Sequence, residues 1–176
     1  MPKAPPEQLL PLELARKGEQ LEGSVPLEAM PRLATLLHDS AGGARFALHF
    51  GYDDEGQARV LGRIEAQPVM LCQRCLEPMR IEVACDVSLA LVPEGADTSM
   101  LDPGYEPLVV GDSPQRLSDL IEDEIILALP SIARHRQGAC RMPAGADAVE
   151  DTSALETPQR ENPFAILKSI KSRKPS

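Results

Sequence analysis

Four cysteines carry the most distinctive chemistry of this 176-residue chain: Cys72, Cys75, Cys85 and Cys140. In a chain that we expect to be cytoplasmic, the C-x-x-C pair Cys72 and Cys75 is more typical of a metal or redox site than of a structural disulfide. A bend at Gln73-Arg74 would let the two thiols converge. His135 and Cys140 lie together farther along the chain and would complete the four tetrahedral ligands that zinc requires. The pattern predicts a structural zinc site of three thiolates and one imidazole.

Two other interpretations of these cysteines stay open. The thiols could bind nothing, because a second C-x-x-C pair is absent and Leu76 stands where a glycine would ease a tight turn. Alternatively, Cys72 and Cys75 could perform thiol-redox chemistry, although the thioredoxin motif belongs at a helix start in a βαβ unit. Cys85 falls in the apolar register of a predicted strand, which indicates a core position.

An acidic triplet, Glu122-Asp123-Glu124, is the second candidate site. Consecutive residues on a helix point about 100° apart, so the three carboxylates do not converge on a metal or a substrate. We therefore expect a solvated acidic face or a docking face for a basic partner. The chain also lacks glycine-rich phosphate-binding loops and the G-x-S-x-G nucleophile motif. No catalytic residue, no small-molecule substrate and no enzyme activity are predicted.

Alternating apolar residues predict antiparallel strands in the middle third of the chain. Arg45 to Tyr52 alternates, a turn follows at Asp53–Gly56, and Val60 to Ala66 alternates again. The clearest predicted strand runs from Met79 to Leu91. Together with the compact turn at Cys72–Pro78, the pattern predicts a long hairpin that presents the cysteine pair.

Two helices are predicted to pack against these strands. Apolar residues at helical spacing predict the first helix between Leu27 and Leu37. The second opens at Asp112-Ser-Pro114, with Pro114 near the first helical position, and ends at Pro130. The predicted fold class is α+β: an antiparallel sheet or partly open barrel with a long hairpin, packed by two to three helices and followed by a flexible C-terminal linker and tail.

Composition divides the chain into one α+β domain over residues 1–142, a flexible acidic linker over 143–161 and a short basic amphipathic tail helix over 162–176. The last 17 residues carry a net charge of +4, whereas the preceding 159 carry −13. About ten helical residues are too few to be stable alone in water, so the tail is expected to fold when it docks. The tail residues predicted to contact a partner are Phe164, Leu167, Lys168, Lys171, Arg173 and Lys174.

The overall composition excludes two broad classes of protein. The net charge is −9 and aromatic residues make up 3%, which excludes a surface that binds nucleic acid throughout by clustered cations and stacking rings. The longest apolar run, Ile125–Leu129, is far shorter than the roughly 18 residues of a membrane span. We therefore expect an acidic cytoplasmic protein with no membrane partner.

Several motifs of the chain occur together, in this order, in one known family. They are Cys72-Gln-Arg-Cys75-Leu-Glu-Pro78, Tyr105-Glu-Pro107, Glu122-Asp-Glu-Ile-Ile-Leu-Ala-Leu-Pro130, the His135/Cys140 pair and Asn162-Pro-Phe-Ala-Ile-Leu-Lys168. With them the chain resembles the YceD family of bacterial proteins, which are associated with the accumulation of 23S ribosomal RNA. The segment Ser131–Arg134 departs from the family, which usually has another proline before the histidine.

The resemblance implies a non-enzymatic role in making or protecting the RNA of the large ribosomal subunit. The partner would be ribosomal RNA or a pre-ribosomal particle, and two modes of binding stay open. In one, the basic tail around Lys168–Lys174 contacts RNA phosphates while the acidic body stays outside. In the other, the acidic helix face recruits a basic ribosomal protein. The alternative to this role is a zinc-binding or thiol-redox protein centred on the C-x-x-C pair.

Overall fold

The structure, a computed structural model, describes residues 5–99, 101–136 and 138–140. In chain order its strands are β1 (Gln8–Leu9), β2 (Gln20–Pro26), β3 (Gly43–Tyr52), β4 (Ala58–Ala66), β5 (Val69–Leu71), β6 (Pro78–Arg80), β7 (Val83–Pro93), β8 (Glu106–Val110) and β9 (Gln115–Arg116). Its helices are α1 (Pro11–Lys17), α2 (Pro31–Ala34) and α3 (Leu117–Ala128), with a 3₁₀ turn at Leu27–Ala29. The largest sheet has the order β2-β3-β4-β7-β8.

The large sheet is antiparallel except at one edge, where β8 runs parallel to β7. Two antiparallel ribbons, β1 with β9 and β5 with β6, lie beside it. The predicted α+β class, with an open and mostly antiparallel sheet and few helices, is confirmed. In the part of the chain that the structure describes, no helix combines the length and the apolar character that crossing a membrane requires.

The predicted alternation along β3 is confirmed. Phe46, Leu48 and Phe50 are buried, and the residues between them are exposed. Gly62 of β4 lies opposite Leu48, where a Cβ atom would collide with the carbonyl oxygen of Ala47. Glycine therefore lets β3 and β4 approach closely at the centre of the sheet.

The single strand predicted from Met79 to Leu91 is divided in the structure. β6 ends at Arg80 and pairs with β5, whereas β7 begins at Val83 and pairs with β4. Pro68, between β4 and β5, has no N–H to donate, so the ladder is interrupted there. The N–H of Ile81 still donates to the carbonyl of Pro68, and pairing resumes in the same register at Val69 and Arg80. The predicted hairpin is present, and its cysteine-bearing end continues it as the short β5–β6 ribbon.

The first predicted helix is shorter than its apolar spacing indicated. The region folds as the 3₁₀ turn followed by the single turn of α2. Met30 lies between them with φ −116° and ψ 85°, because a residue before proline is disfavoured in the helical region. Leu27, Met30 and Leu33 are nevertheless buried in the core.

The second predicted helix begins at Leu117, so its predicted start at Pro114 is wrong. The two residues in between form β9, which pairs with Gln8 and Leu9 near the N-terminus. The N–H of Leu117 donates to the carbonyl of Glu7. These long-range bonds satisfy backbone groups that an earlier helix start would leave unpaired.

α3 packs against β7 and β4 and buries its apolar face there. Its buried apolar residues are Leu117, Leu120, Ile121 and Ile125. The helix ends as predicted, because Leu129, which precedes Pro130, adopts an extended conformation. The chain then leads directly into the segment that contains His135 and Cys140.

Candidate metal centre

The tip of the β5–β6 ribbon presents Cys72 and Cys75. The N–H of Cys72 donates to the carbonyl of Glu77 over 2.9 Å, and the N–H of Leu76 donates to the carbonyl of Cys72 over 2.8 Å. Residues 73–75 form the turn, so the bend predicted at Gln73-Arg74 is present. Both cysteines are buried. The turn therefore directs two thiols inward from a short loop.

The other half of the cluster comes from the segment that follows α3. Ala133 is buried, and its carbonyl accepts a 2.8 Å hydrogen bond from the N–H of Gln73. The N–H of His135 lies 3.5 Å from Cys72 Sγ and donates to it. These bonds fix the segment against the cysteine turn, and Cys140 follows five residues after His135.

The four predicted ligand atoms converge: the Sγ atoms of the three cysteines and Nδ1 of the histidine all lie within 4.8 Å of one another. Cys72 Sγ lies 3.7 Å from Cys140 Sγ. His135 Nδ1 lies 3.4 Å from Cys75 Sγ and 3.9 Å from Cys140 Sγ.

These separations match a tetrahedral metal site. Zinc at about 2.3 Å from sulfur and about 2.0 Å from nitrogen would hold two sulfurs about 3.8 Å apart, and a sulfur and a nitrogen about 3.5 Å apart. A disulfide requires an S–S distance of about 2.05 Å, and all four cysteines are free. The residues thus form a set that fits a metal ion.

The protein itself stabilises one thiolate in this cluster. Burial is the largest single influence on Cys72 and opposes its ionisation, but backbone N–H groups of Cys75, His135 and Arg74 together outweigh it and lower its pKa to about 5. Burial, together with the neighbouring sulfurs of Cys72 and Cys75, raises the pKa of Cys140 to about 11. Three thiolates would therefore need a cation to offset their mutual repulsion.

Cys85 lies apart from the cluster. Its Sγ is 3.8 Å from the carbonyl oxygen of Ile64 and 3.9 Å from that of Glu124, and the residue packs half-buried against the core. Burial raises the pKa of its thiol. Cys85 therefore lies at the margin of the core, which agrees only in part with its predicted core position.

The acidic triplet is not a uniformly solvated face, and that prediction is wrong for Glu122. The side chain of Glu122 is 1% exposed; its Oε1 accepts the N–H of Leu33 over 2.9 Å, and its Oε2 lies 2.8 Å from the guanidinium of Arg32. Asp123 is about half exposed and pairs with the same guanidinium at 2.6 Å. Glu124 is half-buried, and burial raises its pKa. Glu122 therefore joins α2 to α3 and is not available to a partner, because its own chain surrounds it.

The predicted linker and tail lie outside the described residues. This applies to the linker over 143–161 and to every tail residue predicted to contact a partner: Phe164, Leu167, Lys168, Lys171, Arg173 and Lys174.

Two features beside the cluster become clear only in the structure. Arg134 and Arg136 flank His135 and are exposed. Leu76 has a φ of 61°, in the left-handed region that favours glycine. A basic residue on each side of a predicted ligand was visible in the sequence, but only the fold shows that both lie next to the cysteine turn.

Comparison with known proteins assigns the chain to a family. Residues 60–171 match the family model described as large ribosomal RNA subunit accumulation protein YceD. The chain belongs to the YceD family. This confirms the resemblance, and the matched stretch includes all four residues of the cluster. A YceD protein of Haemophilus influenzae with the same description is 26% identical over 164 residues, which cover 93% of this chain and 94% of the relative. No solved structure matches the chain.

Proposed function

We propose that this chain is a non-enzymatic factor in the accumulation of the RNA of the large ribosomal subunit, and that it acts by binding within a pre-ribosomal particle. The YceD description names that process. The relative from Haemophilus influenzae aligns over nearly the full length of both chains, so the similarity covers more than a shared motif.

The observation that carries the non-enzymatic part of the proposal is the closed Cys₃His cluster. Catalytic zinc sites keep a position free for water or substrate, whereas structural sites fill all four positions with protein ligands. Here three sulfurs and one nitrogen converge within 4.8 Å. Cys72 is 0% exposed and Cys75 is 7% exposed, so a substrate has little access to their sulfur atoms.

We further propose that the metal is zinc and that its role is structural. Thiolate and imidazole ligands in a tetrahedral arrangement favour zinc among the common divalent metals. The ligands join two segments, since Cys75 and His135 are 60 residues apart in sequence. A metal there would hold the ribbon tip against the segment after α3, and its binding free energy would contribute to folding.

We favour RNA over a basic ribosomal protein as the direct partner, because the acidic helix face is partly engaged within the chain itself. In the acidic helix face that could bind a basic ribosomal protein, Glu122 is buried and Asp123 already pairs with Arg32. The described residues include 22 acidic and 11 basic side chains, so most of the surface would repel phosphate. Contact with RNA would therefore be limited to a part of the surface where cations cluster.

A deletion strain that lacks the gene for this protein tests the proposed function. We expect the ratio of 23S to 16S ribosomal RNA to fall and the full-length protein to sediment with precursors of the large subunit in a sucrose gradient. Re-expression of the wild-type chain serves as the control and should restore the ratio. Unchanged 23S RNA in the deletion strain, with the protein absent from every particle fraction, contradicts the proposal.

The lowered pKa of Cys72 supports one competing function, thiol-redox chemistry, because reactive thiols share this property. The two functions differ in what Cys72→Ser does. A structural zinc site predicts loss of zinc and of stability, with no disulfide reductase activity in the wild-type protein. A redox enzyme predicts that the wild-type chain reduces a model disulfide, such as that of insulin, and that Cys72→Ser abolishes this turnover.

A further inference from the structure

Five exposed residues surround the cysteine cluster and form what we term the tip surface: Arg74, Leu76, Ile132, Arg134 and Arg136. Arg74 lies between the two cysteines of the turn, and Leu76 follows directly. Arg134 and Arg136 flank His135. Because the turn and the histidine segment are joined by the Gln73–Ala133 hydrogen bond, these residues lie around one site.

The tip surface is a cationic part of an acidic body. Residues 71–78 and 131–136 carry a net charge of +2, whereas the described residues together carry −11. Within those described residues, the arginines paired with carboxylates are Arg32, Arg45, Arg63 and Arg116. Glu77 is the single acid in the two segments, and no ion pair joins it to a tip arginine. A zinc ion with three thiolates would add a charge of −1, which would still leave these segments with a net charge of +1 instead of +2. Two of the three sulfurs, those of Cys72 and Cys75, belong to buried residues.

Leu76 is the second unusual feature of the tip surface. It is the one non-glycine residue among those described that has a positive φ, at 61°. A left-handed backbone is unfavourable for a residue with a Cβ atom, and the side chain is 72% exposed. Neither backbone preference nor burial accounts for leucine here, and strained residues of this kind concentrate at functional sites. Ile132, 54% exposed, adds a second apolar side chain.

We propose that the tip surface binds single-stranded RNA of the large ribosomal subunit, with the three arginines on phosphates and Leu76 and Ile132 against unpaired bases. The inference rests on the proposed function and deepens it by naming the contact surface. Guanidinium groups suit phosphate because their planar fork donates two hydrogen bonds at once. Unpaired bases offer apolar faces, and zinc knuckles are an established class of RNA-binding module. The acidic remainder of the body would repel phosphate and so restrict contact to this end.

The charge contribution is tested with the full-length, zinc-loaded chain and a fluorescein-labelled single-stranded fragment of 23S ribosomal RNA. In the triple variant Arg74→Gln, Arg134→Gln, Arg136→Gln, we expect the slope of log affinity against log salt to fall by about 2, at about 0.7 for each phosphate contact. The matched control replaces Arg16 and Lys17, which are exposed at the end of α1, with glutamine and should leave the slope unchanged. Zinc content and circular dichroism verify that each variant is folded.

The apolar contribution is tested with Leu76→Gly. Glycine adopts the left-handed backbone without strain, so we expect the melting temperature to be equal or higher. RNA binding should nevertheless weaken by about fivefold, because an apolar contact with the bases is lost. A purely structural role for Leu76 predicts no loss of RNA affinity in this variant.

Equal RNA affinity and equal salt slope in the wild-type protein and in both tip variants would overturn the inference. It would also be overturned if glutamine substitutions at Lys168, Lys171 and Arg173 removed all RNA binding while the tip variants removed none. Neither result affects the proposed function, which depends on the loss of 23S RNA in the deletion strain. Conversely, unchanged 23S RNA in that strain contradicts the function whatever the tip variants bind.

Discussion

The buried carboxylate of Glu122 allows a sharp test of how α2 is attached to α3. One of its oxygens accepts the N–H of Leu33, and the other accepts from the guanidinium of Arg32. In Glu122→Gln the amide keeps the volume but can present an oxygen to only one of these donors. Its NH₂ group then faces the other donor, which is left without an acceptor.

We expect this substitution to lower the free energy of unfolding by about 2–3 kcal/mol, since an unsatisfied buried group costs about 1–3 kcal/mol and charge-assisted bonds are stronger than neutral ones. With a urea m-value of about 2 kcal/mol per M, the midpoint should fall by about 1 M. This cost is smaller than that of breaking a fully buried ion pair, because the Arg32 side chain is 55% exposed and can be hydrated by water.

Asp123→Asn is the matched control, because Asp123 pairs with the same guanidinium at 2.6 Å but is 53% exposed. We expect it to cost less than about 0.5 kcal/mol, and high salt should reduce that cost further. Urea unfolding followed by circular dichroism measures both variants. Equal costs for the two substitutions, or no cost for Glu122→Gln, would refute the argument that burial decides the contribution of each carboxylate.

Three further outcomes follow from the metal centre and the sheet. Elemental analysis should find about one zinc per chain in the wild-type protein and in Cys85→Ser, but less in Cys75→Ser, because a structural site needs all four ligands; equal zinc in both variants would contradict the assigned ligand set. Chelation should accelerate hydrogen exchange of the Gln73 amide, whose bond to the segment after α3 depends on the centre, while the amides between β4 and β7 stay protected; unchanged exchange at Gln73 would argue against a structural metal. Gly62→Ala should lower the free energy of unfolding by about 3 kcal/mol in urea titrations, because the new methyl group meets the Ala47 carbonyl; a neutral effect would contradict the close approach of β3 and β4.

Local patterns predicted the parts of this fold that local interactions determine. The alternation of Phe46, Leu48 and Phe50 specified a strand with one buried face, because side chains of a strand alternate between faces whatever its neighbours are. The C-x-x-C spacing, together with His135 and Cys140 close to each other farther along the chain, indicated a metal-ligating set from residue chemistry alone.

The remaining differences arise from contacts between distant segments. Gln115 and Arg116 join β9 instead of α3, because the N-terminal strand offers hydrogen-bond partners that the local sequence does not reveal. Glu122 resembles its acidic neighbours in sequence, but only the position of α2 determines that it is buried. Leu76 stands where a glycine would ease the turn, but only the fold shows that the leucine itself adopts the left-handed conformation.

The cluster also imposes an order of events on a newly made chain. Cys72 and His135 are 63 residues apart, and closing such a loop costs about 4 kcal/mol of chain entropy before any ligand bond forms. During translation the cysteine turn leaves the exit tunnel first, with only two of the four ligands. A metal held by all four ligands would have to wait until the chain from β7 to α3 has been made and brings His135 and Cys140 to the turn. A nascent chain that ends before Cys140 would therefore lack a complete set of ligands for the metal.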